Sequence, residues 1–337
     1  MVRKISKISM ILGLDIGGAN TKAASEDGSI AESVYLPLWR DAPLDKVLQR
    51  LSETDPEALG VVITGELADC YQSKAEGIAA IKSAVEEAFS CPIYYWGVNG
   101  FNWRDPGELA AANWSASAAL VSKDLGDCLF VDMGSTTTDL IPIKGRPLAA
   151  STDYGRLAKG ELVYTGMLRT SLGSLLRAVR LDGRIVPLSP EFFALTADAY
   201  LVTGRISPKQ YSCDTPDGFG KDRASAICRL ARTVCADVEE IGEASVVAIA
   251  KQAVDFQSDI LTCAIERQCS EHNLKKVAAA GIGEKVIALA SSRLGHGCIC
   301  LSERYGNRIS DIFPAFAVAR LLESHFRWVA REPGKVP

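Results

Sequence analysis

Gly13-Leu-Asp15-Ile-Gly17-Gly18-Ala-Asn20-Thr21-Lys22-Ala-Ala24 and, more than a hundred residues later, Leu129-Phe-Val-Asp132-Met-Gly134-Ser135-Thr136-Thr137-Thr138-Asp139-Leu-Ile-Pro-Ile143 follow one plan. Each begins as an apolar strand and carries an Asp at its end, with Gly two positions on. Thr21 and Thr138 each stand six residues after the Asp, and each copy then enters a hairpin. One strand–loop–strand device used twice implies an internal duplication, with a site expected in a cleft between the halves.

The residues around the first copy read clearly. Ile11–Ile16, Asn20–Glu26 and Ile30–Leu38 are predicted strands, with Asp27–Gly28 as the hairpin turn. Helices are predicted near Leu44–Ser52 and Lys74–Phe89, and strands at Gly60–Gly65 and Ile93–Trp96. Asp105-Pro-Gly-Glu108 has the form of a helix start, with an Asp cap, Pro at the first helical position and Glu three residues after the cap, so a helix is predicted through Ala110–Val121. The second copy supplies strands at Cys128–Val131, through Ile143, and near Pro147–Ser151. Beyond it, Leu162–Ala178, Phe192–Thr203, Arg223–Val238, Val246–Ser270, Glu284–Ser291 and Pro314–His325 are read as helices, the last returning to pack on the first half. Gly204–Asp222 is a long polar loop, and Lys276–Ala280 a strand that ends in Gly281-Ile282-Gly283. The expected architecture is α/β: two duplicated halves, 1–122 with 312–330 and 123–311, the second carrying a helical and loop insertion around 183–245.

Composition narrows the function classes. The 337 residues are 47% hydrophobic and 23% charged, with 37 Lys plus Arg against 41 Asp plus Glu, which excludes a mainly disordered chain and gives no basic excess for nucleic acid or an anionic membrane surface. Arg3, Lys4 and Lys7 precede the apolar stretch Ile8–Leu14, but Asp15 ends it without a cleavage site, so a cytoplasmic location is expected. No uncharged run approaches the roughly 18–20 residues of a membrane span. The ten cysteines contain no CxxC pair. His296, Cys298 and Cys300 alternate as on one face of a strand, and read as buried small groups rather than a metal site.

A strand that delivers Asp into a glycine turn suits phosphate and Mg²⁺. Glycines let backbone N–H groups approach phosphate oxygens, and the carboxylate holds the hydrated ion. Asp15 and Asp132 are therefore expected at Mg²⁺, and Gly17, Gly18, Asn20, Thr21, Gly134, Ser135 and Thr136 at phosphate. Lys22 and Arg156 are expected to neutralise charge there, although alternation also allows Lys22 to face solvent and Arg156 to be a surface cation. The Gly281–Gly283 turn opening a helix offers a third contact for an anion or nucleotide. No GxxxxGK[ST] string occurs, and Gly281-x-Gly283 does not complete a dinucleotide fingerprint.

GLDIGGANTKAA at 13–24, VVITGELAD at 61–69, LFVDMGSTTTDLIPI at 129–143 and AAAGIGE at 278–284 resemble the phosphate, connecting and adenosine segments of the acetate and sugar kinase/Hsc70/actin superfamily, and more narrowly its hydantoinase/oxoprolinase branch. With AAANW at 110–114 and YGRLAKGELVYTGMLRT at 154–170, the whole chain resembles the family associated with tetrahydromethanopterin-linked one-carbon transfer, which includes the condensing enzyme of methanofuran biosynthesis.

The resemblance implies duplicated ribonuclease-H-like (actin-like ATPase) domains. It implies a Mg²⁺-dependent transferase that joins an aminomethylfuran-methyl diphosphate to the phenol oxygen of γ-glutamyltyramine, or a tyrosine-type analogue, and releases diphosphate. Its partners would be these small molecules, with neither nucleic acid nor membrane. Asp132 would act in catalysis, and Asp139 or Glu161 would accept the phenol proton or bind the substrate ammonium. Plainer roles are an ion pair for Asp139, a helix cap for Glu161, packing for Asn113–Trp114 and a solvated turn for Asp214 and Asp217. No Gly-Gly pair begins the last motif, so ATP is not expected to be required. An ATP-dependent kinase or hydantoinase-like amidohydrolase, and a nucleotide-binding sensor without turnover, are the competing readings.

Overall fold

The computed structural model describes residues 10–40 and 42–331; the basic residues Arg3, Lys4 and Lys7 and the start of the apolar stretch at Ile8 lie outside the described residues. In chain order the strands are β1 (Ile11–Gly17), β2 (Asn20–Ser25), β3 (Ala31–Tyr35), β4 (Ala58–Thr64), β5 (Ile93–Tyr95), β6 (Cys128–Met133), β7 (Thr138–Lys144), β8 (Arg146–Pro147), β9 (Leu162–Val163), β10 (Ala178–Leu181), β11 (Arg184–Pro187), β12 (Lys276–Ala280) and β13 (Gly297–Cys300). The helices are α1 (Leu44–Ser52), α2 (Lys74–Ala88), α3 (Asn113–Leu125), α4 (Asp153–Lys159), α5 (Leu172–Leu175), α6 (Thr196–Val202), α7 (Arg223–Arg232), α8 (Val238–Glu271), α9 (Glu284–Arg293), α10 (Leu301–Tyr305), α11 (Asn307–Asp311) and α12 (Phe313–Arg331).

The first sheet runs β3-β2-β1-β4-β5. Its first three strands are antiparallel, and β1, β4 and β5 are parallel. The second runs β8-β7-β6-β12-β13, with β9 paired antiparallel to β7. Position by position the two orders correspond: β6 stands where β1 does, β7 where β2 does, and β12 where β4 does. The duplication expected from the repeated Asp-x-Gly device is thus present in the sheet order, with both aspartates on the equivalent central strand.

In the first sheet, alternation sends Leu12, Leu14 and Ile16 into a core with Leu48 and Leu51 of α1 and Ile78, Ile81 and Val85 of α2. Ile11 and Ala58 face the other way, against Ala319 and Leu322 of α12. The final helix therefore packs back on the first sheet, as expected.

By packing, the chain forms two compact units. One comprises the residues up to Phe130, Ile141–Ala158 and those from Leu301 onward; the other comprises Val131–Leu140 and Lys159–Cys300. Drawn by sheet instead, the boundary we propose runs at 122/123 and 311/312, which keeps β6 to β9 with β12 and β13.

Four segments depart from the sequence-based prediction. The Asp105 cap and Glu108 do form a reciprocal capping box, but it closes one 3₁₀ turn, Pro106–Leu109. Ala111 then takes φ +48°, outside the helical region, and α3 starts afresh at Asn113. Leu162–Ala178 is not one helix. It contains β9, an irregular turn and the short α5, because the N–H groups of Met167, Leu168 and Arg169 bond to Gly134 and Ser135 carbonyls rather than to their own preceding turn. The strand predicted near Pro147–Ser151 shortens to Arg146–Pro147, and α8 begins earlier than expected, with a break at Gly242.

Candidate active site

In the first unit Asp15 is 3% exposed at the end of β1, where the register pairs it with Lys22 of β2. The Lys22 ammonium lies 3.4 Å from one Asp15 oxygen, and the Thr64 hydroxyl at the end of β4 donates to the other at 3.0 Å. Lys22 therefore does not face away into solvent. It stands on the Asp15 side of the hairpin, one register position from Thr21, which is 1% exposed and paired with Ile16. Alternation puts Thr21, expected at phosphate, on the opposite face from Asp15 and Lys22. Gly17, Gly18 and Asn20 make the half-buried turn between the strands. The connecting segment packs on that turn: a Cβ on Gly65 would lie 3.1–3.2 Å from the Gly17–Gly18 peptide.

Beside it, Glu66 is 2% exposed, and its Oε2 has no hydrogen-bond partner. Burial pushes its carboxyl up, with the charge of Asp153 adding to the rise, while Lys74 and the Ala111 N–H oppose it. Sequence reasoning gave Glu66 no role; the signal was a carboxylate directly after the apolar strand and glycine of VVITGELAD. Arg156 is 2% exposed, donates to Asp153 at 2.6 Å and lies 5.0 Å from the Trp114 ring centre. It is not a surface cation, and its guanidinium is engaged by an aspartate and an indole. Trp114 is accordingly a packing residue at the start of α3, 5% exposed.

In the second unit Asp132 ends β6, half-buried, and Gly134, Ser135 and Thr136 form the half-buried turn into β7. The Gly134 N–H closes that turn on the Thr137 carbonyl at 3.0 Å. Gly281 has φ +85°, and a Cβ there would fall 2.4 Å from Asp132 Oδ1 and 2.6 Å from the Met133 carbonyl oxygen. The Gly283 N–H donates to that same carbonyl at 3.0 Å. Both glycines of the third expected contact thus serve close approach to the strand end that carries Asp132.

Asp139 and Glu161 stand at neighbouring positions of the β7–β9 pairing: Asp139 is in register with Leu162, and the Leu140 N–H donates to the Glu161 carbonyl at 2.8 Å. They are 9% and 3% exposed. No helix follows Glu161, so it caps none; it leads into β9. Asp217, expected as a solvated residue, pairs with Arg229 and Arg232 at 3.1 and 3.0 Å. Cys298 and Cys300 lie on the edge strand β13, and among the described residues no three His, Cys, Asp or Glu side chains gather as a metal cage.

Single aspartates at the ends of matched strands, each beside a glycine turn, are donors of the kind a phosphate-bound Mg²⁺ accepts. That ion takes one or two carboxylates and completes its shell with phosphate oxygens and water, so it needs no protein cage.

Matched Asp-glycine turns on duplicated mixed sheets define a protein of the actin-like ATPase fold class. The chain belongs to the hydantoinase/oxoprolinase family, whose pattern matches residues 57–325. It is 39% identical over 328 residues to the (4-{4-[2-(gamma-L-glutamylamino)ethyl]phenoxymethyl}furan-2-yl)methanamine synthase of Methanocaldococcus jannaschii, covering 93% of this chain and 98% of that one. It is 35% identical over 213 residues to a protein of the same name from Methanococcus vannielii, covering 61% of this chain and 96% of that one. In fold it is similar to the nucleotide-free structure of acetone carboxylase, with TM-score 0.51 and 12% identity over 93% of this chain and 70% of that one. Among the described residues no helix is long and apolar enough to cross a membrane.

Proposed function

We propose that this enzyme is a transferase of methanofuran biosynthesis. It forms the aryl ether between the methylene carbon of an aminomethylfuran-methyl diphosphate and the phenol oxygen of γ-glutamyltyramine. The observation that carries this reading is 39% identity, over 98% of its length, to a synthase whose name specifies that ether product.

The chemistry asks three things of the protein. The leaving diphosphate must have its developing charge neutralised; the glycine turns at Gly17–Gly18 and Gly134–Thr136 would supply backbone N–H groups, and Lys22 a cation. Asp15 and Asp132 are the carboxylates we propose for Mg²⁺, which would supply Lewis-acid stabilisation of the departing oxygen. The phenol must lose its proton: with an ordinary pKa near 10, a free phenolate at pH 7 costs about 4 kcal/mol. A carboxylate in contact with the hydroxyl avoids that cost by taking the proton as the O–C bond forms, a role we assign to Asp139 or Glu161. The furan ring stabilises positive charge on the methylene carbon as the C–O bond to diphosphate breaks.

Purified protein incubated with the furan diphosphate and γ-glutamyltyramine, with and without ATP, tests the reading. The expected result is the ether by mass, with one diphosphate released per product. Absence of ether under both conditions, or phosphorylated substrate with ADP, would overturn it.

A further inference from the structure

The turn Gly134–Thr136 does not hold its shape alone. A segment without a predicted role, Thr165–Thr170, lies directly on it. A Cβ on Gly166 would fall 2.5 Å from the Thr136 nitrogen and 2.6 Å from both the carbon and the oxygen of Ser135, so the backbone of Gly166 stacks on the flat face of that peptide unit. The Met167 N–H donates to the Gly134 carbonyl at 2.9 Å, and those of Leu168 and Arg169 to the Ser135 carbonyl at 3.0 and 2.9 Å.

A peptide unit is planar and trans, so its N–H points opposite to its C=O. With the carbonyls of Gly134 and Ser135 both drawn toward residues 167–169, the N–H groups of Ser135 and Thr136 are both turned to the other side. Two successive N–H groups turned to one side make a concavity for an anion. The brace is anchored from behind. Gln257 of α8, fully buried, donates to the Thr165 hydroxyl at 2.6 Å and to the Gly166 carbonyl at 2.8 Å, and itself accepts from the Tyr200 hydroxyl at 2.7 Å.

The same segment places a cation on the turn. The half-buried Arg169 donates from Nη1 to the Thr136 hydroxyl at 3.2 Å. Arg156, the arginine expected at phosphate, lies in the other unit and is 2% exposed.

We propose that Arg169 is a substrate-contacting residue, its guanidinium binding the diphosphate group of the substrate alongside the Ser135 and Thr136 N–H groups. The inference rests on the reading that the substrate is a diphosphate ester. Guanidinium suits this role because its planar fork can engage two phosphate oxygens while keeping one donor on Thr136.

The test compares wild type with Arg169→Ala, Arg169→Lys and Arg169→Gln. Equilibrium binding of inorganic diphosphate with Mg²⁺ is measured beside the KM of each substrate and the thermal midpoint. Loss of Arg169 should weaken diphosphate binding and raise KM for the furan diphosphate by roughly 10–100-fold, the range for a charge-assisted hydrogen bond. KM for the phenolic acceptor and the thermal midpoint should stay near wild type, and Lys should restore part of the loss. Arg169→Gln, which keeps a donor for Thr136 without the charge, decides the matter if the Ala variant does not fold. If wild type turns over and the folded variants bind diphosphate as it does, the inference is overturned and the reading of the reaction stands. If wild type neither binds diphosphate nor forms ether, the reading itself falls, and the inference with it.

Discussion

Asp132 and Gly281 constrain each other. The carboxylate occupies the space that any side chain at 281 would need, and the backbone there sits at a positive φ that an L-residue adopts only at a cost. Asp132→Asn keeps the size and removes the charge. If that charge acts mainly in the transition state, kcat should fall by roughly 10²–10³ with the thermal midpoint preserved. A stable Asn variant with near-normal turnover would remove Asp132 from the catalytic set. Gly281→Ala should do the converse, lowering the thermal midpoint as well as activity. Glu66 gives a separate expectation about pH. Its folded-state pKa is raised by burial, so the fold favours the neutral carboxyl, in keeping with an Oε2 that has no donor. The stability this provides is complete below the carboxyl's ordinary value and is lost as pH rises through the folded-state value. Glu66→Gln cannot ionise. Its thermal midpoint should therefore gain on wild type between acidic and neutral pH; a difference that does not change with pH would count against a raised Glu66.

At the scale of elements, α6 and α7 are held by a charge buried from both sides. Arg229 and Asp198 are each fully buried; Nε and Nη2 donate to Asp198 Oδ1 at 2.9 and 2.7 Å, while Nη1 reaches Asp217 and the Gly220 carbonyl, both at 3.1 Å. Tyr211 donates to the same Asp198 oxygen at 3.1 Å, so the polar loop Gly204–Asp222 is clasped at three points. Arg229→Met strands Asp198 and should cost about 3–5 kcal/mol in denaturant unfolding. Arg232→Ala, which removes an exposed partner of Asp217, should cost less than about 1 kcal/mol. Equal effects would mean that the loop is held by something other than the buried pair. This clasp also shows where sequence reading stops. Helix α1 was legible to the residue from its apolar spacing, and β1, β2 and β12 from apolar runs and alternation bounded by turns. Asp217 read as part of a solvated turn, and Asp198 and Arg229 carried no sequence signal, because their pairing joins residues up to 31 positions apart through tertiary structure alone. Thr165–Thr170 looked helical for a similar reason: its carbonyl partners lie some thirty residues earlier, at Gly134 and Ser135. The strand-end aspartates were legible because each is local to a strand and its turn. Arg169 and Glu66 were not, because the positions they occupy are set by distant chain.

On the scale of the whole molecule, the duplicated sheets bear on whether a nucleotide takes part. The order β3-β2-β1-β4-β5 is repeated as β8-β7-β6-β12-β13, so each half carries one Asp-glycine turn at the same place in its sheet. The third glycine turn packs closely on Asp132 and Met133: a Cβ at Gly281 would meet the first, and a Cβ at Gly283 would fall 2.3 Å from the Met133 sulfur. A diphosphate ester, moreover, arrives with its leaving group already attached, so no phosphoryl transfer from ATP is needed to activate it. Turnover should therefore require Mg²⁺ and no nucleotide. The expected outcome is ether formation at full rate without ATP, loss of activity on chelation, recovery with added Mg²⁺, and no ADP when ATP is present. The chelated protein should keep its thermal midpoint, because an ion that completes its shell with substrate oxygens and water is not needed to hold the fold. Stoichiometric ADP production, or an absolute requirement for ATP, would show that the third turn serves a nucleotide after all and would move the chain to the ATP-dependent members of its fold class.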